Sequence, residues 1–284
     1  MIGYVGLGNL GRAMAGRLET VGETLAVWNR TPGRCGGLKA GVAETPAELM
    51  NCSQTVIMCL FDSAAVEQVL TAPDGLLAGD CRGKLLIDTT TNDFREVEGF
   101  HALCGKAGAR YLESPVLGSV VPASQGKLTV VVSGERSDYE EARPLLEKLG
   151  QSLFYLGAPG RATRMKLINN LVLGSFMAAL AEAVAAAEAA GLSKAEALEV
   201  LAAGAGNSLV LNAKRAKLAE EDYAPHFSVD AIHKDLGLMA ALAETTSSRA
   251  VMTAAAKRLF GETASRGLGK SDLAAIYAVI KNER

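Results

Sequence analysis

The stretch "MIGYVGLGNLGRAMAGRL" sets Gly6-x-Gly8-x-x-Gly11 between an apolar run and a helix-forming run, and this junction leaves the chain few folds. A strand that ends on a glycine and turns at once into a helix must come back over the sheet to a parallel neighbour, because parallel strands need a crossover. "TLAVWN" supplies that neighbour and closes a βαβ unit. Inside such a unit each glycine has a physical job. Gly6 permits the tight turn, Gly8 lets backbone approach a pyrophosphate, and Gly11 lets helix and strand pack closely. The helix N-terminus adds N–H donors and the positive end of its dipole for the phosphates. The loop residues Gly6, Leu7, Gly8, Asn9, Leu10 and Gly11 are therefore candidate cofactor contacts.

Downstream the same alternation continues. "TVIMCL", "KLLIDT", "ARYLES" and "KLTVVVSG" read as strands. "NLGRAMAGRLET", "SAAVEQVL", "NDFREVEGFHALCGK" and "SDYEEARPLLEKLG" read as the helices between strands. A mostly parallel sheet with helices on both faces follows. "GAPGRAT" then punctuates the chain, the composition turns alanine-rich, and no further strand is convincing. Thr163 to Ala190 reads as one long helix, apolar nearly all round and therefore buried. The expected fold class is α/β: an N-terminal Rossmann dinucleotide-binding domain over residues 1–160, then an all-α domain over residues 161–284.

Composition narrows the function classes. With 49% hydrophobic and 21% charged residues and a net charge of −2, the balance is that of a globular enzyme, not of a nucleic-acid binder or a disordered chain. The apolar run from Leu171 to Ala190 is broken by Glu182 and Glu188, which favours a buried helix over a membrane span. No targeting composition is visible at the N-terminus, and five scattered cysteines read as reduced core thiols, so a cytoplasmic enzyme is expected. No metal-ligand spacing occurs. His101, His226 and His233 read as structural or surface residues, and "ERSDYEEARPLLEK" reads as a solvated helix face.

The second strand ends in "VWNRTPGR", with no acid where an NAD site usually places one for the ribose hydroxyls. Arg30 is always charged and can grip a 2′-phosphate bidentately, with Asn29, Thr31 and Arg34 beside it. The cofactor expected from this end is NADP. Farther on, Lys166 and Asn170 are spaced i, i+4 in "MKLINNLVLGSF", so on a helix they share one face, flanked by Asn169. A lysine on an otherwise apolar helix is costly to bury without a partner or a purpose. Reduction of a carbonyl develops negative charge on oxygen, which an ammonium can stabilise and protonate.

With these motifs in order, the chain resembles the β-hydroxyacid dehydrogenases along its full length. "GLGNLGRAMA" is similar to that family's cofactor loop and "NRT" to its NADP-using branch. "IDTTTND" resembles the segment whose threonine, here Thr91, contacts the nicotinamide side. "GAPGRATRMKLINN" resembles the catalytic stretch. "FSVDAIHKDLGLM" resembles the C-terminal cofactor and substrate element, implying a cofactor role for Lys234 and substrate roles for Phe227 and Asp235. "ESPVLGSVVPASQG" looks like the substrate loop, but with departures. Where the family reads D-x-P-V-S-G-G, this chain has Glu113 for the aspartate, Leu117 for the serine and Ser119 for the second glycine. Leu117, Gly118 and Ser119 remain candidate substrate contacts, through backbone N–H groups if not through a hydroxyl.

The resemblance implies hydride transfer between NADP and a small carbonyl or hydroxy acid, with Lys166 as acid and Asn170 positioning the oxygen. Two other readings stay open: an imine reductase-like enzyme, which typically lacks the lysine, and a catalytically silent NADP-binding module. The resemblance and the alanine-rich "GSFMAALAEAVAAAEAAG" imply a homodimer or homotetramer, and neither nucleic acid nor membrane is expected as a partner.

Overall fold

The computed structural model describes residues 1–281, which divide into two units, one from Met1 to Lys166 and one from Leu167 onward. In the first unit the chain runs through β1 (Ile2–Val5), α1 (Asn9–Thr20), β2 (Leu25–Trp28), β3 (Gly41–Val42), α2 (Pro46–Cys52), β4 (Thr55–Met58), α3 (Ser63–Thr71) and β5 (Leu85–Asp88). It continues through α4 (Val97–Lys106), β6 (Arg110–Glu113), β7 (Val116–Leu117), α5 (Val120–Ser124), β8 (Leu128–Val132), α6 (Arg136–Leu146) and β9 (Gly150–Tyr155). The first six strands form one parallel sheet in the order β3-β2-β1-β4-β5-β6. The order reverses between β1 and β4, and such a reversal opens the crevice where α/β sheets bind ligands.

Side chains alternate across this sheet. Tyr4, Ile57, Ile87 and Leu112 enter one core with α1 and α6. Val5, Met58, Leu86 and Tyr111 enter the other with α2, α3 and α4. Burial on both faces explains why the strands read as continuous apolar runs. Full burial of an aliphatic side chain of this size contributes about 1.5–3 kcal/mol, so the two cores fix the register firmly. That register places Trp28, Val5, Met58, Asp88 and Glu113 in one row at the carboxyl ends of five strands. The loops that follow them start side by side.

The run "KLTVVVSG" is a strand, but it lies outside the parallel sheet. As β8 it centres a second sheet, antiparallel to β7 and parallel to β9. The two-residue β3 and β7 carry no periodicity, and β9 mixes half-buried and exposed positions, so none of them stands out in the sequence. Helix α2 carried a legible signal in "TPAE": Thr45 caps the helix by accepting from the Glu48 N–H, with Pro46 at its first position.

The second unit is built from α7 (Arg161–Ala189) beyond Lys166, then α8 (Lys194–Ala203), α9 (Leu209–Glu220), α10 (Val229–Thr245), α11 (Val251–Thr263) and α12 (Ile276–Lys281). No strand occurs there among the described residues. Met177, Val184, Leu211, Ile232, Phe260 and Tyr277 form its core. Lys214 and Asp272 form a buried ion pair inside it, Nζ standing 2.8 Å from both carboxylate oxygens. The expectation that α7 is buried all round needs correction. Ile168, Val172 and Phe176 are 41–49% exposed along one face, because a helix buries only the sides that its neighbours cover.

Candidate active site

The glycine loop separates what the fold requires from what a ligand requires. Gly6 has φ +92°, and a Cβ there would stand 2.2 Å from the Cys59 carbonyl oxygen. A Cβ on Gly11 would stand 2.1 Å from the Gly6 carbonyl oxygen. Both positions must be glycine for β1, α1 and the end of β4 to pack. A Cβ on Gly8 would meet nothing within 4 Å. No protein contact demands glycine at that position, the N-cap of α1, and the space beside it is open to a ligand at the helix start. Leu7 is buried and Leu10 packs against the core, so these two serve the loop through backbone. Gly8 and Asn9 face outward.

Asn29, the first residue past β2, ties two loops together. Its Oδ1 accepts from the Leu7 N–H at 2.8 Å, and its Nδ2 donates to the Thr31 carbonyl at 2.9 Å. Arg30, Thr31 and Arg34 are exposed beyond it. Arg12 of α1 fixes this segment by donating to the carbonyls of Arg34 at 2.8 Å and Gly36 at 2.6 Å. Trp28, Asn29, Pro32 and Val42 line a cleft beside it. Arg12 went unnoticed in the sequence because nothing local to it shows that a loop more than twenty residues away will fold back onto it.

At the end of β5, Asp88 is buried and organises the segment that carries Thr91. Its carboxylate accepts from Tyr111 Oη at 2.5 Å, Asn92 Nδ2 at 2.7 Å and the Thr90 N–H at 2.9 Å. Burial still holds its pKa above the usual carboxylate range, against those hydrogen bonds. Thr90 Oγ1 in turn accepts from the Leu60 N–H at 3.0 Å. The loops after β4 and β5 are thereby joined, with Thr91 half-buried between fixed neighbours.

Lys166 is 8% exposed, and its Nζ donates to the Val116 carbonyl at 2.8 Å. It also lies near Cys59, at the end of β4. Burial pushes that thiol up to about 11, and the Lys166 charge acts in the opposite direction. The ammonium therefore stands at the carboxyl edge of the sheet, on the side where the glycine loop starts. Val116 is in the core while Leu117 is only half-buried. Gly118 must be glycine: φ is +128°, and a Cβ would stand 2.7 Å from Leu128. Ser119 precedes α5 and makes no side-chain cap.

In the second unit, Asn170 is fully buried. Its Nδ2 donates to Asp235 Oδ2 at 2.6 Å, and its Oδ1 accepts from Asn169 Nδ2 at 3.2 Å. Lys234 Nζ stands 2.8 Å from Asp235 Oδ1. Asp235 thus orients Asn170, a link that the sequence, with the two 65 positions apart, does not show. Phe227 is half-buried, and its N–H donates to Asp272 Oδ2 at 3.3 Å. His226 donates its backbone N–H to the same oxygen at 2.9 Å, and its imidazole pKa is lowered by burial and by the nearby Lys217 and Lys214. His101 stands 3.4 Å from the buried Glu113, a structural contact, whereas the solvated-face reading of "ERSDYEEARPLLEK" needs correction at Asp138, which is buried against Arg110 at 3.0 Å.

Comparison with known proteins agrees with this arrangement. Residues 1–157 match the family described as the NAD binding domain of 6-phosphogluconate dehydrogenase. Residues 160–280 match that described as NAD-binding of NADP-dependent 3-hydroxyisobutyrate dehydrogenase. The chain is 35% identical to glyoxylate/succinic semialdehyde reductase 1 of Arabidopsis thaliana, over 100% of this chain and 99% of that protein. The solved 3-hydroxyisobutyrate dehydrogenase of Salmonella typhimurium is 28% identical, with a TM-score of 0.91, covering 98% of this chain and 99% of that one. Psf3, solved in complex with NADP+ and 2-OPP, is 27% identical, with a TM-score of 0.92, covering 99% of this chain and 100% of that one. A loop shaped for a dinucleotide, a buried lysine at the crest of the sheet and full-length likeness converge: the chain belongs to the β-hydroxyacid dehydrogenase family, as an oxidoreductase that binds a nicotinamide dinucleotide and acts on CH–OH groups.

Proposed function

We propose that the protein is an NADP-dependent reductase or dehydrogenase that interconverts a small aldehyde acid and its hydroxy acid, with Lys166 as the acid. The observation that carries this reading is the Lys166 ammonium, buried at the crest of the sheet and bonded to a carbonyl where the rest of its helix is apolar. When bound, the reduced nicotinamide supplies hydride. Lys166 stabilises the charge developing on the substrate oxygen and gives it the proton from Nζ, and the neutral amine regains a proton from water. Asn170, one turn farther along α7 and held by Asp235, orients the substrate oxygen. Leu117 cannot offer the hydroxyl that the family loop places there, so a substrate carboxylate takes N–H groups of Gly118 and Ser119 instead. Arg30 and Arg34 support NADP over NAD, since both are exposed just past β2, which ends without an acid.

A homo-oligomer is part of this reading, supported by the exposed apolar stripe Ile168, Val172 and Phe176. The test is a panel of aldehyde acids and hydroxy acids assayed at the nicotinamide absorbance band with NADPH and with NADH. Lys166→Ala should lower kcat by about two to four orders of magnitude, with NADPH affinity nearly unchanged. A variant that keeps more than half of the parent kcat removes Lys166 from the mechanism.

A further inference from the structure

The opening turn of α7 is held by side chains to which the resemblance assigns no role, Glu113 of the matched substrate loop foremost. Glu113, at the end of β6, is 1% exposed and gathers four donors. The Gly160 N–H donates to its Oε1, and His101 Nε2 stands 3.4 Å from the same oxygen. The Thr163 N–H and Oγ1 donate to Oε2 at 3.1 and 2.7 Å. Ser133, bridged to Glu113 by paired backbone hydrogen bonds, accepts the Ala162 N–H on its Oγ at 3.0 Å. First-turn N–H groups of a helix have no intrahelical acceptor, and here side chains provide them from the end of the sheet.

Thr163 and Lys166 are neighbours at i, i+3 on α7. Glu113 is three residues before Val116, whose carbonyl receives the Lys166 ammonium. One short segment therefore holds α7 at its first turn, through Thr163, and holds the tip of Lys166, through Val116. We infer that Glu113 is a positioning residue for Lys166: an acceptor-only group that fixes the first turn of α7, and with it the place from which the ammonium meets the substrate oxygen. The inference rests on the reading of Lys166 as the acid. A glutamine here would turn an amide N–H toward a backbone N–H, that of Gly160 on one side or of Thr163 on the other, so the turn would shift although volume is conserved.

The test is kinetic. Glu113→Gln, Thr163→Val, Lys166→Ala and the double variant Glu113→Gln/Lys166→Ala are assayed well below their melting temperatures, with NADPH binding followed by fluorescence. Glu113→Gln should lower kcat about ten- to a hundredfold, as a displacement near 1 Å does, with KM and NADPH affinity within about threefold. Thr163→Val, which removes one of the four donors, should lower kcat about three- to tenfold and covers the case in which the glutamine variant does not fold. In the Lys166→Ala background Glu113→Gln should change kcat less than about twofold, because the group it positions is gone. If Lys166→Ala is impaired while Glu113→Gln and Thr163→Val keep kcat, or if the two losses multiply in the double variant, Glu113 does not act through Lys166 and the inference fails with the acid intact. If Lys166→Ala keeps its kcat, the acid reading fails and this inference with it.

Discussion

The proposed preference for NADP turns on a single residue, Arg30. It is exposed, it follows Asn29, whose amide is committed to Leu7 and Thr31, and no acid ends β2 to compete for a ribose. A guanidinium on a 2′-phosphate makes charge-assisted hydrogen bonds worth about 1.5–3 kcal/mol. At about 1.4 kcal/mol per decade this is roughly ten- to a hundredfold in affinity. Arg30→Ala should therefore erase most of the preference for NADPH and leave NADH binding nearly unchanged. Titrating both cofactors against both proteins checks it, and equal affinities in the unsubstituted chain would remove Arg30 from cofactor choice.

At the scale of one element, the turn from β1 into α1 holds two kinds of glycine. Gly11→Ala would push a methyl to 2.1 Å from the Gly6 carbonyl, so α1 must move away from the sheet. Overpacking of this kind costs about 1–3 kcal/mol, and the variant should melt several degrees lower. Gly8→Ala meets no protein atom, so its melting temperature should stay within about two degrees of the parent's. Its dinucleotide affinity should nevertheless fall about tenfold or more, because the methyl occupies the approach to the helix N-terminus. Melting curves with and without dinucleotide separate the two, and a Gly8→Ala protein that binds normally would show that the open space there has no ligand.

For the whole molecule, acid stability offers a global readout of a local arrangement. Burial pushes the Glu113 carboxyl up, but hydrogen bonds from His101, Gly160 and Thr163 outweigh it and hold its pKa below the usual glutamate value. The folded chain then holds that proton less tightly than the unfolded chain. The stabilisation from ionised Glu113 is complete above the unfolded pKa and is lost as pH falls through the folded one. Between about pH 5 and pH 3 the melting temperature of the parent should fall faster than that of Glu113→Gln, and the gap between them should narrow. A gap constant across that window would mean that Glu113 takes no part in acid unfolding.

By itself the sequence determined whatever depends on neighbours along the chain. The strand–glycine–helix junction, the parallel alternation, the helical second half, the missing acid after β2 and the shared face of Lys166 and Asn170 all follow from local period and spacing. The two-residue strands β3 and β7 were not legible, because a pair that short exists only where a partner strand receives it. The partners of the site were hidden for the same reason. Arg12 meets the loop after β2, Asp88 meets Tyr111, Asp235 meets Asn170, and Glu113 meets Thr163, across 22 to 65 residues of chain. A buried polar group must find an acceptor or donor somewhere, but which one it finds is set by strand order and register, and those come from packing two cores at once. Only the tertiary structure could decide that Glu113, which the sequence offers as a departure from a loop motif, holds the first turn of the helix that carries Lys166.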